Sequence, residues 1–195
     1  MKRSGWLMNL CCLLVAALLT AGPAWAGGIM LYQYGSPDVG YAAAGYAARA
    51  QDASTVFTNP AGMSRLDKSQ VLGGLQALYG DVEFSPNSNT TFSGYDGGNA
   101  IGWIPGGSLF VVQRLNQDWS VGFGVLSYFG LAEDYGDSWV GRYYVQKSTL
   151  MGLTLTPAVS YRVNNWLYLG AGLNMMYGYM DTQVGINNIG DARPD

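Results

Sequence analysis

The side chains that most often perform enzymatic chemistry are scarce in this sequence. It contains no histidine, and its two cysteines, Cys11 and Cys12, lie in an apolar run near the N-terminus. Serine and cysteine nucleophiles are usually activated by a histidine base, and zinc is usually bound by histidine or cysteine. The sequence therefore indicates a protein that is not an enzyme and that holds neither a metal nor another cofactor.

Carboxylates offer one further possibility, which is weak cation binding. Glu133, Asp134 and Asp137 lie close together where glycine and aspartate follow a strand-like segment. A solvated acidic loop explains the same cluster without any ligand, and we prefer that interpretation.

Residues 1–26 have the pattern of a secretory signal peptide. Lys2 and Arg3 precede an apolar run of about a dozen residues, and residues 24–26 fit the small-residue rule for cleavage. The run is shorter than the ~20 residues of a transmembrane helix, so a retained membrane anchor is the weaker alternative. Cleavage after Ala26 would remove both cysteines and leave a chain that cannot form a disulfide.

The composition indicates an exported membrane protein without membrane helices. Only 12% of residues are charged, whereas 28 are glycine and 14 are tyrosine. Without Lys2 and Arg3, eight basic residues remain against 13 acidic ones, and this formal charge of −5 argues against nucleic acid as a partner. No apolar stretch after Ala26 is long enough for a membrane helix. These features predict an all-β fold, an antiparallel transmembrane β-barrel in the outer membrane of a Gram-negative bacterium.

Alternation of apolar and polar residues predicts five strands, which span 70–81, 108–114, 119–130, 151–162 and 167–179. The last two exceed the ~9–11 residues of a tilted membrane strand. Strands of a soluble β-sandwich, the alternative fold, are usually about 5–6 residues long. Tight turns alternate with a long polar loop over 82–105, as in barrels with short periplasmic turns and longer extracellular loops.

Several apolar side chains fall on the side of these strands that would line a barrel interior: Leu72, Leu78, Leu126, Tyr128 and Met176. A water-filled porin would carry charge there. These residues predict contacts with a hydrophobic ligand or with a segment packed inside the barrel, and both can hold. Arg114 and Arg162 fall on the same side, where they could snorkel or pair with such a segment.

Residues 27–68 predict short helical turns and tight links. Ser36 before Pro37 and Asn59 before Pro60 each place a capping residue ahead of a proline suited to a first helical turn. Asn59, Pro60 and Ala61 are therefore expected to fix the start of a helix. An ordinary flexible tail is the alternative, but it would normally carry more charge.

Five strands cannot close a barrel alone. Bacterial single-chain barrels have even strand numbers of about eight or more, and each unpaired backbone group in lipid costs several kcal/mol. We therefore expect this sequence to be part of a longer chain, and assembly with other chains is the alternative.

The motifs resemble, in order, those of the FadL/TodX family of outer-membrane transporters for long-chain fatty acids and other hydrophobic compounds. GYAARAQDA at 45–53 and Asn59-Pro60-Ala61 are similar to the N-terminal plug of that family, and WIP at 103–105 is similar to the entry of its second strand. WSVGFGVLSYFGLAEDY at 119–135 resembles the third strand, and SYRVNN at 160–165 resembles the turn between strands four and five.

The resemblance implies a barrel of about 14 strands, with about five present here and the N-terminal region folded into the lumen as a plug. It implies passive transport, with substrate leaving sideways beside a kinked third strand. Gly122, Gly124 and Gly130 would allow that bend, although barrel strands are often glycine-rich for other reasons. The predicted domains are a signal peptide (1–26), a plug (27–68) and the first barrel strands (69–195).

The predicted partners are hydrophobic small molecules, either fatty acids or aromatic hydrocarbons, and outer-membrane lipids, with a monomer at full length. A general porin is one alternative, and the apolar interior disfavours it. A structural barrel or adhesin is another, suggested by the loop at 82–105. An outer-membrane lipid enzyme is the least favoured alternative, because histidine is absent.

Overall fold

The computed structural model describes residues 30–187, in which long antiparallel strands form one sheet over an N-terminal segment, residues 30–66. The helices described are short: α1 (Pro37–Val39) and α4 (Pro60–Arg65), both 3-10, and α2 (Tyr46–Arg49) and α3 (Thr55–Thr58). The strands are β1 (Gln70–Gly80), β2 (Gly102–Arg114), β3 (Trp119–Asp134), β4 (Lys147–Arg162), β5 (Tyr168–Gly172) and β6 (Met175–Gln183). None of the helices in this range is long and apolar enough to cross a membrane. The predicted signal peptide lies outside the described residues.

Strands β1 to β5 pair antiparallel in sequence order, and outside the β3–β4 ladder beyond Leu126 the register places residues of equal parity opposite one another. Gln70 pairs with Val112, Ser108 with Leu126, and Ser120 with Ser160. Because side chains alternate along a strand, the even-numbered residues of these ladders share one face of the sheet. That face packs on the N-terminal segment, and we call it the inner face.

The opposite, outer face is apolar and open. Leu75 is 94% exposed and Trp103 is 70% exposed, and Val71, Phe123 and Leu153 are exposed beside them. A soluble sheet would cover such a surface or make it polar. The polarity of the two faces is that of a membrane β-barrel wall, so the sequence-based fold class is confirmed.

The predicted fifth strand is interrupted rather than continuous. β5 and β6 both pair with β4, and Ser160↔Gly170 and Thr154↔Met176 belong to one unbroken register. The break lies opposite Pro157, which accepts a hydrogen bond from Leu173 N–H (3.0 Å) but has no N–H to return one. Proline on β4 thus explains why one strand is divided into two segments.

An extra residue shifts the register of β3. Leu126 pairs with Thr154, but Phe129 pairs with Gly152, so two residues of β3 stand opposite Leu153 alone. Such a bulge reverses the alternation of the strand. From Phe129 onward the odd-numbered residues of β3 face inward.

Four other strand boundaries differ from the sequence-based prediction by four residues or more, and one of them is the end of β6, at Gln183 rather than at residue 179. β2 begins at Gly102 rather than at residue 108, β3 continues past Gly130 to Asp134, and β4 begins at Lys147. Pro105 lacks the N–H that other strand residues donate to a ladder. It is tolerated within β2 because residues 102–107 pair with β1 on one side, and no ladder of the described residues occupies the other side.

Candidate functional site

The candidate site is the inner face of the sheet together with the N-terminal segment docked on it. Their interface is a buried apolar cluster with Tyr34, Ala53, Val56, Met63 and Leu66 from the segment, and Phe110, Val112 and Leu126 from the strands. Tyr34 is fully buried, its ring 5.7 Å from that of Phe57 and 6.2 Å from that of Phe110, both edge-on. Burial raises the pKa of Tyr34 to about 12, so the phenol is neutral at physiological pH.

Local hydrogen bonds and one ion pair hold the segment in its fold. The Ser36 hydroxyl accepts a hydrogen bond from Asp38 N–H at the start of α1, which confirms the predicted cap. Arg49 forms an ion pair with the largely buried Asp38 and lies over the ring of Tyr41, 4.1 Å from its centroid. A charge on Asp38 is acceptable in this buried position because it is paired.

The predicted capping role of the Asn59 side chain is wrong. Asn59 occupies the position before Pro60, but its side chain does not cap α4. Instead its Nδ2 donates to the carbonyl of Ala47 (2.7 Å), and its own carbonyl accepts from the Thr55 hydroxyl (2.8 Å). Asn59 therefore ties α2 and α3 to the start of α4.

Hydrogen bonds from two strands anchor the segment. Ser160 on β4 accepts from Ser64 N–H (3.1 Å), contacts the Ser64 hydroxyl and donates to the carbonyl of Ala61 (3.3 Å). On β1, the Gln76 side chain accepts from Gly35 N–H (2.9 Å). The segment thus contacts the sheet through specific polar contacts as well as through its apolar cluster.

Glycines on the inner face let the segment approach the strand backbone. A Cβ on Gly74 would overlap the backbone of Gly35, and one on Gly170 would overlap the backbone of Pro60 and Ala61. A Cβ on Gly122 would lie 2.5 Å from Met63 Sδ and from Val56. These contacts are possible only because no side chain stands there.

The predicted interior residues divide into two groups. Leu72, Leu126 and Tyr128 pack around the N-terminal segment, with the Tyr128 ring 4.9 Å from that of Phe57. Leu78 lies half-buried toward the far end of β1, outside the cluster. Met176 lies on the inner face but is 51% exposed. Contact of these five residues with a ligand stays a prediction.

The predicted glycines of β3 do not coincide with its bulge. Gly122 and Gly124 lie in the regular part of the ladder, beside Val56 of the segment. Gly130 follows the bulge. A Cβ added there would have space, since its nearest atom, the Leu150 carbonyl oxygen, would be 3.6 Å away. The irregularity itself lies at residues 127 and 128, which the sequence did not indicate. A role of the three glycines in a lateral opening stays a prediction.

Next to the bulge, the sheet has a gap. β2 and β3 pair from Ser108↔Leu126 to Arg114↔Ser120. Beyond that point, residues 102–107 of β2 pair with β1, residues 129–134 of β3 pair with β4, and no ladder of the described residues joins the two strands. The carbonyl of Tyr128, at the bulge, accepts instead from Leu31 N–H of the N-terminal segment (2.8 Å).

The two predicted inward arginines lie near the short turns. Arg114 donates to the carbonyl of Asp67 (2.8 Å), where the segment joins β1, and Arg162 donates to the Asn165 side chain (2.5 Å). In the predicted acidic cluster, Asp134 lies 3.3 Å from Lys147, and both are about half exposed. Residues 30–187 contain no group of three or more metal-ligating side chains.

Sequence analysis missed the residues that dominate the segment–sheet interface. Phe110, Ser160 and Tyr34 were not singled out, although all three are fully or almost fully buried. Phe110 lies at an even position of β2, on the side of the strand that would line a barrel interior, where small and polar residues are usual. A large apolar residue at such a position was the signal that could have identified it.

Comparison with known proteins relates the chain to outer-membrane transport. The family described as "Outer membrane protein transport protein (OMPP1/FadL/TodX)" matches residues 17–190. The chain is 33% identical to outer membrane protein P1 of Haemophilus influenzae over 94% of its length, and 29% identical to the long-chain fatty acid transport protein of Escherichia coli O6:H1 over 85%. It spans 43% and 37% of the lengths of these relatives.

A solved structure shows the same fold. A crystal structure of a Pseudomonas aeruginosa FadL homologue superposes with a TM-score of 0.64 at 22% sequence identity, covering 80% of this chain and 39% of that one. This likeness concerns the fold alone.

Proposed function

The chain belongs to the outer membrane transport protein family (OMPP1/FadL/TodX), and from this premise we propose that it forms the first strands and the plug of a passive channel for hydrophobic molecules. The channel would be part of a longer barrel in the outer membrane. Its short turns would face the periplasm, and the loops 81–101 and 135–146 would face the outside. Substrate would enter between these loops and leave sideways into the membrane.

The gap between β2 and β3 is the observation that carries this proposal. Unpaired backbone groups along a strand edge are costly in lipid. We therefore infer that the unpaired edges at this gap serve the function of the protein. The bulge beside the gap reverses the alternation of β3 and turns Phe129 and Leu131 inward, next to Tyr128. Gly130, which has no side chain, and Ala132, which has only a methyl group, then face outward, so little side-chain volume covers the wall there. An apolar interior surface thus adjoins an interruption in the wall.

The N-terminal segment supports a gate at the same place. Leu31 N–H bonds to the Tyr128 carbonyl, a group that an unbroken ladder would have bonded to a strand. Movement of the segment would release this bond and open the path from the interior to the gap. Substrates are proposed to be long-chain fatty acids, as the name of the Escherichia coli relative says of that protein, or aromatic hydrocarbons. Neither use needs a catalytic residue or an energy source.

A removable cross-link tests the lateral exit. In the natural full-length protein, Gly107→Cys and Ser127→Cys place thiols at the first position beyond the last β2–β3 pair. Residues 27–195 contain no native cysteine. The control pair Val71→Cys with Val111→Cys lies in the continuous β1–β2 ladder and faces outward. Both pairs suit a disulfide if the strands approach to about 5.5–6 Å between Cα atoms.

We expect oxidation to abolish uptake of a radiolabelled fatty acid by vesicles containing the first variant, and reduction to restore it. Oxidation of the control pair should leave uptake unchanged. If the cross-linked gap variant transports at the wild-type rate, the exit lies elsewhere and the proposal is wrong in that part. If the unmodified protein takes up no hydrophobic compound, the transport function itself is wrong.

A further inference from the structure

The two adjacent carboxylates at the end of β3 face opposite sides of the sheet. Glu133 and Asp134 are the last residues of the strand, and the register pairs them with Ser148 and Lys147 of β4. Asp134 lies 3.3 Å from the Lys147 ammonium group, and Lys147 is an odd-numbered residue of β4, on the outer face. Because neighbouring residues of a strand point to opposite sides, Glu133 faces inward with Ser148.

Beyond the bulge, apolar side chains of the inner face lie next to Glu133. A Cβ on Gly152 would lie 3.2 Å from Phe129 Cβ and 3.0 Å from Met176 Sδ, so these two side chains share the inner face. Leu131 and Glu133 follow Phe129 on that face, since β3 alternates regularly from Phe129 to its end. In the proposed channel, a molecule moving from the outer loops to the gap therefore passes Glu133 before it meets these apolar side chains.

No basic side chain of the described residues stands beside Glu133 on the inner face. The ion pairs within residues 30–187 are those of Arg49 with Asp38 and of Lys147 with Asp134. Arg142, in the loop 135–146, is buried and donates to the Ser93 carbonyl (2.8 Å). The remaining basic residues of this range lie in the N-terminal segment or at the short-turn end of the sheet.

The charge of Glu133 is placed where water screens it only in part. Glu133 is half-buried, and burial together with the charge of Glu133 raises the pKa of the nearby Tyr135 phenol. Like charges about 8 Å apart at such a partly buried surface repel each other more strongly than in bulk water. The carboxylate of a fatty acid would be repelled on this path, whereas an uncharged molecule of the same length would not.

We propose that Glu133 determines the substrate selectivity of the channel by charge, so that uncharged hydrophobic molecules pass the gap faster than carboxylates do. This inference rests on the proposed transport function and narrows its substrate class toward uncharged compounds, such as aromatic hydrocarbons. The described strands provide an apolar surface along the path and one negative charge at its outer end.

Two probes with the same alkyl chain measure this selectivity. The natural full-length protein is produced in Gram-negative cells that lack any other family member. Initial uptake rates of radiolabelled laurate and lauryl alcohol are compared, with the rates of cells without the protein subtracted. We expect the alcohol to enter faster. Glu133→Gln should raise the rate for laurate about three- to tenfold and leave the rate for the alcohol unchanged.

Asp134→Asn is the matched control, because it removes the same charge one residue further along but on the outer face. It should leave the ratio of the two uptake rates as in the unmodified protein, and Glu133→Asp, which keeps the charge, should do the same. The proposal is wrong if Asp134→Asn changes the ratio as much as Glu133→Gln does. It is also wrong if Glu133→Gln changes both rates by one factor, which is the result of a merely structural role.

The same rates separate this inference from the transport function. Uptake of both probes by the unmodified protein, with a ratio that Glu133→Gln does not alter, would overturn the selectivity and leave transport standing. Uptake of neither probe would overturn the transport function, and the selectivity with it.

Discussion

The contact between the N-terminal segment and the wall depends on individual residues that lack side chains. Gly74, Gly122 and Gly170 stand on three different strands, and each faces atoms of the segment at a distance that excludes a Cβ. Serine serves where a hydrogen bond is needed instead, as at Ser160. Small residues thus allow the segment to pack closely on the strands, and larger side chains at these points would push the segment away from the sheet.

Gly170→Ala tests this at one position. The added Cβ would overlap the backbone of Pro60 and Ala61, so α4 must withdraw and strain or break its bonds to Ser160. Overpacking of this kind costs about 1–3 kcal/mol. We expect trypsin to cut the folded full-length protein faster at Arg65, in the segment, than it cuts the unmodified protein.

Gly178→Ala provides the control for that experiment. Gly178 lies on the same inner face, and nothing stands within 4 Å of its added Cβ. Its cleavage rate should match that of the unmodified protein. Equal rates in both variants would mean that the close contact at Gly170 does not hold the segment in place.

The sequence allowed the interior residues to be predicted only in part. Leu72, Leu126 and Tyr128 were recognised because apolar residues on an otherwise small and polar strand face are anomalous. Ser160 and Gly74 were not, because serine and glycine are ordinary on that face and become informative only when their partner is known. That partner lies 96 residues away for Ser160 and Ser64, a pairing that no local pattern encodes.

Among the elements, β4 has the largest influence on its neighbours. Pro157 deprives the next strand of one ladder hydrogen bond and divides it at residues 173 and 174. The proline faces outward, opposite Phe123 on its other side. The sequence predicted a continuous strand there because alternation of side chains continues through the break, and alternation reports on side chains rather than on backbone donors.

Pro157→Val should restore the missing bond. Valine favours strands, and its N–H would be placed by the register opposite Leu173, whose carbonyl could accept the hydrogen bond. We expect the new amide of residue 157 to exchange its hydrogen slowly, with protection similar to that of Val159, two residues further along β4 and paired with Val121 and Ala171. Rapid exchange at residue 157 would show that the interruption has another cause.

The sequence predicted which segments form strands more reliably than it predicted where those strands begin and end. All five predicted strands are present, but β2, β3 and β4 each extend further toward the long loops than alternation suggested. In β3 the bulge reverses the alternation of apolar and polar residues. The sequence pattern is therefore interrupted, although the strand itself continues to Asp134. In β2 glycine and proline concealed a strand that the pairing with β1 maintains.

Across the whole molecule, the distribution of polarity is the reverse of that in a soluble protein. The outer face is exposed and apolar, whereas the inner face carries serine, threonine, glycine and the docked segment. Thr154, Thr156 and Ser160 are buried on β4, while the adjacent Leu153 and Leu155 are exposed. Lipid is the medium in which this arrangement is stable.

Leu75→Arg and Met176→Arg distinguish the two faces. Leu75 lies in the middle of β1 on the outer face, and a cation there costs about 2–4 kcal/mol at the centre of a bilayer. Met176 is similarly apolar and exposed but lies on the inner face, so its replacement should cost much less. Urea-induced unfolding of the full-length protein in phosphatidylcholine vesicles measures both. Equal losses would mean that the inner face also contacts lipid.

The bulge in β3 has a consequence for how the length of this strand can vary. Because side chains alternate with a period of two, adding or removing one residue between Leu126 and Phe129 exchanges the lipid-facing and interior-facing sets over the rest of the strand. Phe129 and Leu131 would then point into the membrane, and Gly130 and Ala132 into the lumen. A change of two residues preserves the orientation of every later side chain. At this point of the chain, the parity of an insertion therefore matters more than its size.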